Sequence, residues 1–529
     1  MGRNILLITT DQQRFDSLRC NGSTVANTPV VDRLAQEGIN YQRAYNQNTV
    51  CMPARSSILT GQYVRTHGVI ANGIPLPESA PSVAAYLNDK AGYRTALIGK
   101  AHFEPGFDFN LKWNENKRAV NGDIGYWRGF ERSMQAMHAA AFGKIPLAHY
   151  GRWLKDNHPE HMQSYADLLG AVPGGDTLAP ETKNNPIPTE WYHTNWIANL
   201  VIQQLDEYKE NENWFIWMSF PDPHHPWDPP ASELYRIPWQ ELSLPDGYPK
   251  SREDAIKILS KKPAHWLAYY EGKWSNAEGA PMNFNPSMLT EDMVREINAK
   301  VHVMNELIDE SCGKVIDHLS QKGWLDDTDI FFTTDHGEMQ GDFGLIYKGP
   351  FHTDSLMRLP FIWRPSKNVN VKRGVKVTNP IQQIDLTATI CDIAGLAVPS
   401  WCQGKVLPQS DSQTGFDRAV CEWDSQFPGY GMHLRTIYRD GWVATFYEKS
   451  TGGIPNGLEE VMGNQVLAKN PIQYDGNEGE LYNLNEDPHQ FVNLFGETSH
   501  KALVSDLKSD LYDALSQLPV TNLKVEAPA

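Results

Sequence analysis

Ile5-Leu6-Leu7-Ile8 is an unbroken apolar run, the pattern of a strand buried on both faces of a parallel sheet. Thr95-Ala96-Leu97-Ile98, Trp214-Phe215-Ile216-Trp217-Met218 and Ile330-Phe331-Phe332 have the same character. Between these runs the apolar period changes. Val83 to Asn88 reads as a short helix with Ser82 as its N-cap. Trp191 to Tyr208 reads as an amphipathic helix, with Trp196, Ile197, Leu200, Val201 and Leu205 on one side. Glu291 to Leu319 is a longer one that ends before Gly323, and Ile384 to Ile390 is a last packing helix. The alternation predicts an α/β fold, a large mainly parallel sheet covered by helices on both faces.

After about residue 400 the texture changes. Arg418 to Trp423, His433 to Tyr438, Trp442 to Tyr447 and Leu481 to Leu484 read as short strands, and Lys501 to Leu518 as a terminal helix. The expected division is a large α/β domain over 1–400 and a smaller α+β domain with an antiparallel sheet over 401–529. Residues 105–188 and 226–290 lack periodicity and read as insertions that wall a pocket, since binding loops gather at strand ends.

Composition narrows the class. The chain has 529 residues, 40% hydrophobic and 21% charged, enough for one large globular domain and a companion. Its formal net charge of -17 argues against nucleic acid as a partner, but a local basic pocket could still bind a small anion. No apolar run approaches the length of a membrane span. With a strand expected at residues 4–10, no signal peptide is expected ahead of it. Cys20, Cys51, Cys312, Cys391, Cys402 and Cys421 are widely scattered, as expected of reduced thiols. A cytoplasmic location is expected.

The strand ends carry the candidate chemistry. Thr9-Thr10-Asp11-Gln12 and Thr333-Thr334-Asp335-His336 repeat one arrangement; Gly99-Lys100-Ala101-His102 and Pro223-His224-His225-Pro226 end the other two runs. In open α/β sheets working groups collect beyond the carboxyl ends of strands. Asp11 and Asp335 could each cap a helix; with Gln12 and His336 they look more like a metal site. Cys51-Met52-Pro53-Ala54-Arg55 runs on through Leu59-Thr60 to Gly61. Pro53 suits the first turn of a helix and Gly61 its end. Cys51 then sits just before a helix N-terminus, which favours negative charge, and Arg55 can point back toward it.

Cys51-x-Pro53-x-Arg55 with the Leu59-Thr60-Gly61 ending resembles the signature of the type I sulfatases of the alkaline phosphatase superfamily. Asp11, Lys100-x-His102, Pro223-His224-x-Pro226, Asp335-His336 and Tyr347-Lys348 resemble that family's blocks in the same chain order. Leu481-Tyr482-Asn483-Leu484 and Asp487-Pro488 resemble its C-terminal domain. The resemblance implies that residues 1–400 form the catalytic domain and that a maturation enzyme oxidises Cys51 to formylglycine. The hydrated aldehyde would be the nucleophile toward a sulfate ester. One divalent cation, Ca²⁺ or Mn²⁺, would be held by Asp11, Gln12, Asp335, His336 and modified Cys51. Arg55 and Lys100 would hold the hydrated aldehyde. Lys100, His224 and Lys348 would bind sulfate, His224 or Lys348 would act as general acid, and His102 would act as base. Many members have Asp at the position of Gln12 and Asn at that of His336, so this chain departs at both.

Two other readings stay open. Phosphonate monoester or phosphodiester hydrolases of the same superfamily can share the Gln12/His336 set, but tend to carry Tyr and Thr in place of Lys100 and His102. A non-catalytic protein whose Cys51 stays a thiol would have no need of the whole basic set. Asn72 could line the pocket, and His67 reads as structural. Trp227, Trp239 and Trp401 are candidates for ring stacking and equally for the core. Enzymes of this size are often homo-oligomers, but no interface is legible.

Overall fold

The structure, a computed structural model, describes residues 2–106, 108, 110–139, 141–142, 145–162, 164–165, 173–274, 280, 284–425, 431–450 and 472–527. Eight strands form the large sheet: β1 (Asn4–Thr10), β2 (Ile39–Tyr41), β3 (Arg94–Gly99), β4 (Arg132–Gln135), β5 (Trp214–Ser219), β6 (Thr328–Thr334), β7 (Phe361–Arg364) and β8 (Val375–Val377). Their order is β8-β2-β7-β6-β1-β5-β3-β4. Five of the pairings are parallel and β7 runs antiparallel to both neighbours.

The apolar runs are buried as their pattern predicts. Leu6, Ile8, Ile98, Ile216, Met218, Ile330 and Phe332 face one side. There they meet α1 (Pro29–Glu37), α5 (His193–Glu207) and α6 (Glu291–Gln321). Ile5, Leu7, Leu97, Phe215, Trp217 and Phe331 face the other, covered by α2 (Cys51–Thr60), α3 (Val83–Ala91) and α7 (Asp385–Ile393). Ser82 caps α3 by accepting the Ala85 N–H.

Register sets the ends of the central strands level. Thr10 pairs with Thr334, Thr9 with Ser219, and Ser219 with Gly99. Asp11, Asp335 and Lys100 therefore leave the sheet side by side. Gly99 has φ +111, and a Cβ there would overlap the Ser219 carbonyl, so only glycine lets β3 end this close to β5.

A second, four-stranded antiparallel sheet is formed by β9 (Arg418–Asp424), β10 (His433–Arg439), β11 (Trp442–Tyr447) and β12 (Gly479–Asn483). It is backed by α8 (Lys501–Ser516), whose Leu507, Leu511 and Leu515 meet Val420, Ile437 and Leu481. β9 also supports the chain that leads into Cys51: Glu422 N–H donates to Gln47 O at 2.9 Å, and Asn48 Nδ2 to Glu422 O at 2.7 Å.

The two insertions are more ordered than their composition suggests. Within 105–188, β4 extends the sheet edge, α4 (Asn114–Asn121) forms, and Ala148–Asn157 is helical. β4 alternates half-buried and buried positions with three polar residues of four, so pairing with β3 rather than apolar content makes it a strand. Within 226–290, Arg252–Leu259 and Ala264–Tyr270 are helices. Between them, Lys262 Nζ donates to Tyr482 Oη at 2.6 Å and Gln490 O at 2.9 Å, tying the insertion to the small sheet. Parts of both stretches lie outside the described residues. No described helix is long and apolar enough to cross a membrane.

Candidate active site

α2 carries the centre of the site. Its first residue is Cys51, one position further into the helix than Pro53 suggested, and every residue of α2 is buried. Asn72 Oδ1 accepts the Met52 N–H at 3.0 Å, satisfying one free donor of the first turn. Gly61 closes the helix in the left-handed conformation at φ +62, and a Cβ there would press on Cys402 and Thr387.

Asp11, Cys51, Asp335 and His336 offer ligand atoms that all lie within 4.8 Å of one another, and all four are buried. Cys51 Sγ is 3.1 Å from His336 Nε2 and 3.7 Å from Asp11 Oδ1. His336 Nδ1 lies 2.9 Å from the Gly337 carbonyl. A carbonyl only accepts, so the proton sits on Nδ1 and the Nε2 lone pair faces the cluster. That is how a metal-binding imidazole is usually oriented. Two carboxylates and this imidazole suit a divalent cation. Gln12 adjoins the group, at φ +62. Its Oε1 accepts from Lys348 Nζ at 2.6 Å, and its Nε2 donates to Glu338 and lies 3.1 Å from His225 Nδ1. A carbonyl oxygen has two lone pairs, so one remains for a cation.

Arg55 is the fixed counter-charge. It has no exposed surface; Nε meets Asp335 Oδ2 at 2.8 Å and Nη2 meets Asp11 Oδ2 at 2.9 Å. Nη1 donates to Lys100 O and Ser219 Oγ, both at 2.9 Å. Lys100 Nζ lies 2.5 Å from Asp11 Oδ2. Burial alone would raise the Asp11 pKa; Lys100 and Arg55 together hold it well below the usual carboxylate range. Burial, and then Asp11, push the Cys51 thiol up to about 11. The unmodified side chain is therefore a neutral thiol rather than an activated thiolate.

The remaining expected residues converge on the same place. Lys348 Nζ is 2.6 Å from His224 Nε2, and His224 Nε2 is 4.0 Å from Asp11 Oδ1. His224 Nδ1 sits against the His225 carbonyl, so its proton is on Nδ1 and Nε2 accepts from Lys348. Burial, then His138 and His225, disfavour a charged His224. His102 is buried at φ +56, its Nδ1 has no partner among the described residues, and burial with Lys100 keeps it neutral.

Five contributors were not singled out from sequence. His138 and Glu115 come from the 105–188 insertion. Glu115 accepts the N–H groups of His102, Phe103 and Glu104 at 2.8, 3.0 and 3.1 Å, clamping the loop after β3. Glu338 Oε1 accepts from Gln340 N–H and Tyr347 N–H, and with His225 it fixes the Gln12 amide. Ser219 takes an N–H of Arg55. His225 was visible in the Pro223–Pro226 block; the others carried no local signal. His67 is structural, bonded to Ser57 Oγ and Val69 N. Trp227 is fully buried and stacked on Tyr347, Trp239 bonds Asp176, and Trp401 packs edge-on to Tyr86.

Comparison with known proteins gives the same frame. A family model described as Sulfatase matches residues 3–396. An arylsulfatase of Clostridium perfringens is 27% identical over 97% of this chain and 95% of its own length. A multifunctional alkaline phosphatase superfamily protein of Trinickia caryophylli is 26% identical over 95% of this chain and 93% of its own. The crystal structure of the phosphonate monoester hydrolase of Agrobacterium radiobacter matches with a TM-score of 0.74 at 24% identity, covering 97% of this chain and 96% of that one. Likeness at that identity speaks for the fold.

Proposed function

The chain belongs to the sulfatase family, a family of sulfuric ester hydrolases, and we propose that it hydrolyses sulfate monoesters to sulfate and an alcohol or phenol at the site built on Cys51. The observation that carries this reading is the convergence of Lys100, His224 and Lys348 on the buried Asp11–Cys51–Asp335–His336 group. Such a pocket offers fixed positive charge and imidazole to an oxyanion in a dry setting. We assign this chemistry to residues 1–400 and the smaller α+β unit to 401–529.

Asp11, Asp335, His336 and Gln12 Oε1 would hold Ca²⁺ or Mn²⁺, which supplies Lewis acidity and lowers the pKa of a bound hydroxyl. Conversion of Cys51 to formylglycine supplies the nucleophilic hydroxyl that the neutral thiol lacks. Cys51 is 1% exposed, so a maturation enzyme must reach it before this part of the chain closes. Arg55 orients Asp11 and Asp335. Lys100 and Lys348 bind the ester's oxyanion. The hydrogen-bond polarity supports Lys348 as the general acid: His224 Nε2 accepts from Lys348, so the ammonium of Lys348 carries the proton to the leaving oxygen and His224 aims it. His102, on a clamped loop and with no partner for Nδ1 among the described residues, takes the proton that frees sulfate.

A second reading, hydrolysis of phosphonate monoesters or phosphodiesters, is favoured by Gln12 and His336 in the metal group. One experiment separates them. The chain is produced with a formylglycine-generating enzyme, given Ca²⁺ or Mn²⁺, and assayed on 4-nitrophenyl sulfate, a 4-nitrophenyl phosphonate monoester and a phosphate diester. Dominant sulfate turnover, absent in Cys51→Ala, is expected. Dominant phosphorus-ester turnover would refute the sulfate reading, and no turnover on any ester with Cys51 converted would refute both.

A further inference from the structure

His138 stands where two parts of the anion-binding pocket meet. β4 is the parallel neighbour of β3, with Gln135 opposite Gly99, and Ala136 N–H donates to Gly99 O at 3.2 Å. The chain leaving β4 therefore runs beside the chain leaving β3 and brings His138 to Lys100. Their closest approach is 3.0 Å, Lys100 Nζ to His138 Nε2. An ammonium has three donors and no acceptor, so Nε2 accepts and the proton of the neutral ring sits on Nδ1. The ring also lies flat on His224, with centroids 3.7 Å apart and planes at 12°. His138 is 8% exposed, and its Nδ1 has no partner among the described residues.

Lys100 thus gives one N–H to Asp11 and one to His138, and the direction of the third is fixed. Without His138 the ammonium could turn a second N–H to Asp11 and present less of its charge to a ligand. His224 would lose the surface that backs it while it accepts from Lys348.

We infer that His138 is a positioning residue for ester hydrolysis: it accepts from Lys100 and backs His224 so that both face one bound oxyanion. The inference rests on the sulfatase reading of the site. Because the aimed charge counts most where charge develops, loss of His138 falls on kcat rather than KM.

Two variants separate the acceptor from the ring. His138→Phe keeps a flat ring over His224 and removes the acceptor. His138→Gln supplies an acceptor oxygen near the Nε2 position and removes the ring. On 4-nitrophenyl sulfate, with Cys51 conversion matched by mass spectrometry, the Phe variant is expected to lose roughly 10- to 100-fold in kcat with KM within about threefold. The Gln variant should recover most of that loss. A Phe variant with wild-type kcat, a Gln variant as slow as the Phe variant, or a change confined to KM overturns the inference. If the Phe variant does not fold, His138→Ala with added imidazole decides it: restored turnover supports the role and none overturns it. A wild-type enzyme that prefers the phosphonate monoester refutes the sulfate reading separately, and the same kcat comparison on that ester then judges His138.

Discussion

Replacing Arg55 by Ala should expose how the buried charges at this site are balanced. Arg55 pairs with Asp335 at 2.8 Å and Asp11 at 2.9 Å, and none of the three side chains has solvent exposure. After the substitution Asp11 still has Lys100 at 2.5 Å. Asp335 retains the N–H groups of Gln12 at 3.1 Å and His336 at 2.9 Å and the neutral His336 ring at 3.8 Å, and the cation whose charge still acts on it is Lys348. Two unit charges about 4 Å apart interact by about 4 kcal/mol at an effective dielectric constant of 20. Removing one partner of a buried pair costs about 3–5 kcal/mol. The metal-free variant should therefore lose about that much unfolding free energy. Arg55→Lys, which can meet only one carboxylate, should lose roughly half. A divalent cation between Asp11, Asp335 and His336 would return the missing positive charge, so the loss should shrink in saturating Ca²⁺ or Mn²⁺. Urea unfolding followed by tryptophan fluorescence, in chelator and in added cation, measures both quantities. A loss under about 1 kcal/mol in chelator, or the same loss in both conditions, would refute the charge balance argued here.

Three further outcomes follow from the same geometry. Lys348→Ala should cost about 10²–10⁴-fold on an ester with a poor leaving alcohol and at least about tenfold less on 4-nitrophenyl sulfate, whose phenoxide needs little protonation; equal losses would remove Lys348 as the acid. Glu115→Gln keeps one acceptor oxygen and sets an amide N–H₂ against the backbone N–H groups of residues 102–104, so stability should fall by about 1–3 kcal/mol and kcat with it; unchanged kcat would show that this carboxylate does not place His102. Burial, only partly offset by Glu480, brings Lys262 down to about 8 from 10.5. Below pH 8 both folded and unfolded chains hold that proton, and between pH 8 and 10.5 only the unfolded chain does, so stability rises with pH across that window. Relative to Lys262→Met the wild type should gain about 3 kcal/mol there, at 1.36 kcal/mol per pH unit, and a difference flat in pH would contradict it.

Much of this protein was legible in one dimension. Strands buried on both faces must be continuously apolar, so Ile5–Ile8, Leu97–Ile98, Phe215–Met218 and Ile330–Phe332 announce themselves, and the polar residues that end them mark the site. The spacing of Pro53 and Gly61 located the helix that carries Cys51. The small antiparallel sheet followed from its short strands and turns. Tertiary structure alone decided the rest. β4 has three polar residues of four and becomes a strand by pairing with β3; that register, not any local motif, delivers His138 to Lys100. Glu115 meets the His102 loop through backbone N–H groups, which every non-proline residue has, so no side-chain pattern could reveal the pairing. The choice between His224 and Lys348 as acid was open in sequence, because both types can donate a proton. The His225 carbonyl at Nδ1 fixes only the direction of the Lys348–His224 hydrogen bond, on which our proposal of Lys348 rests. Apolar periodicity is written along the chain because burial acts on each residue, whereas a hydrogen bond's direction belongs to a pair and exists only once folding has brought the pair together.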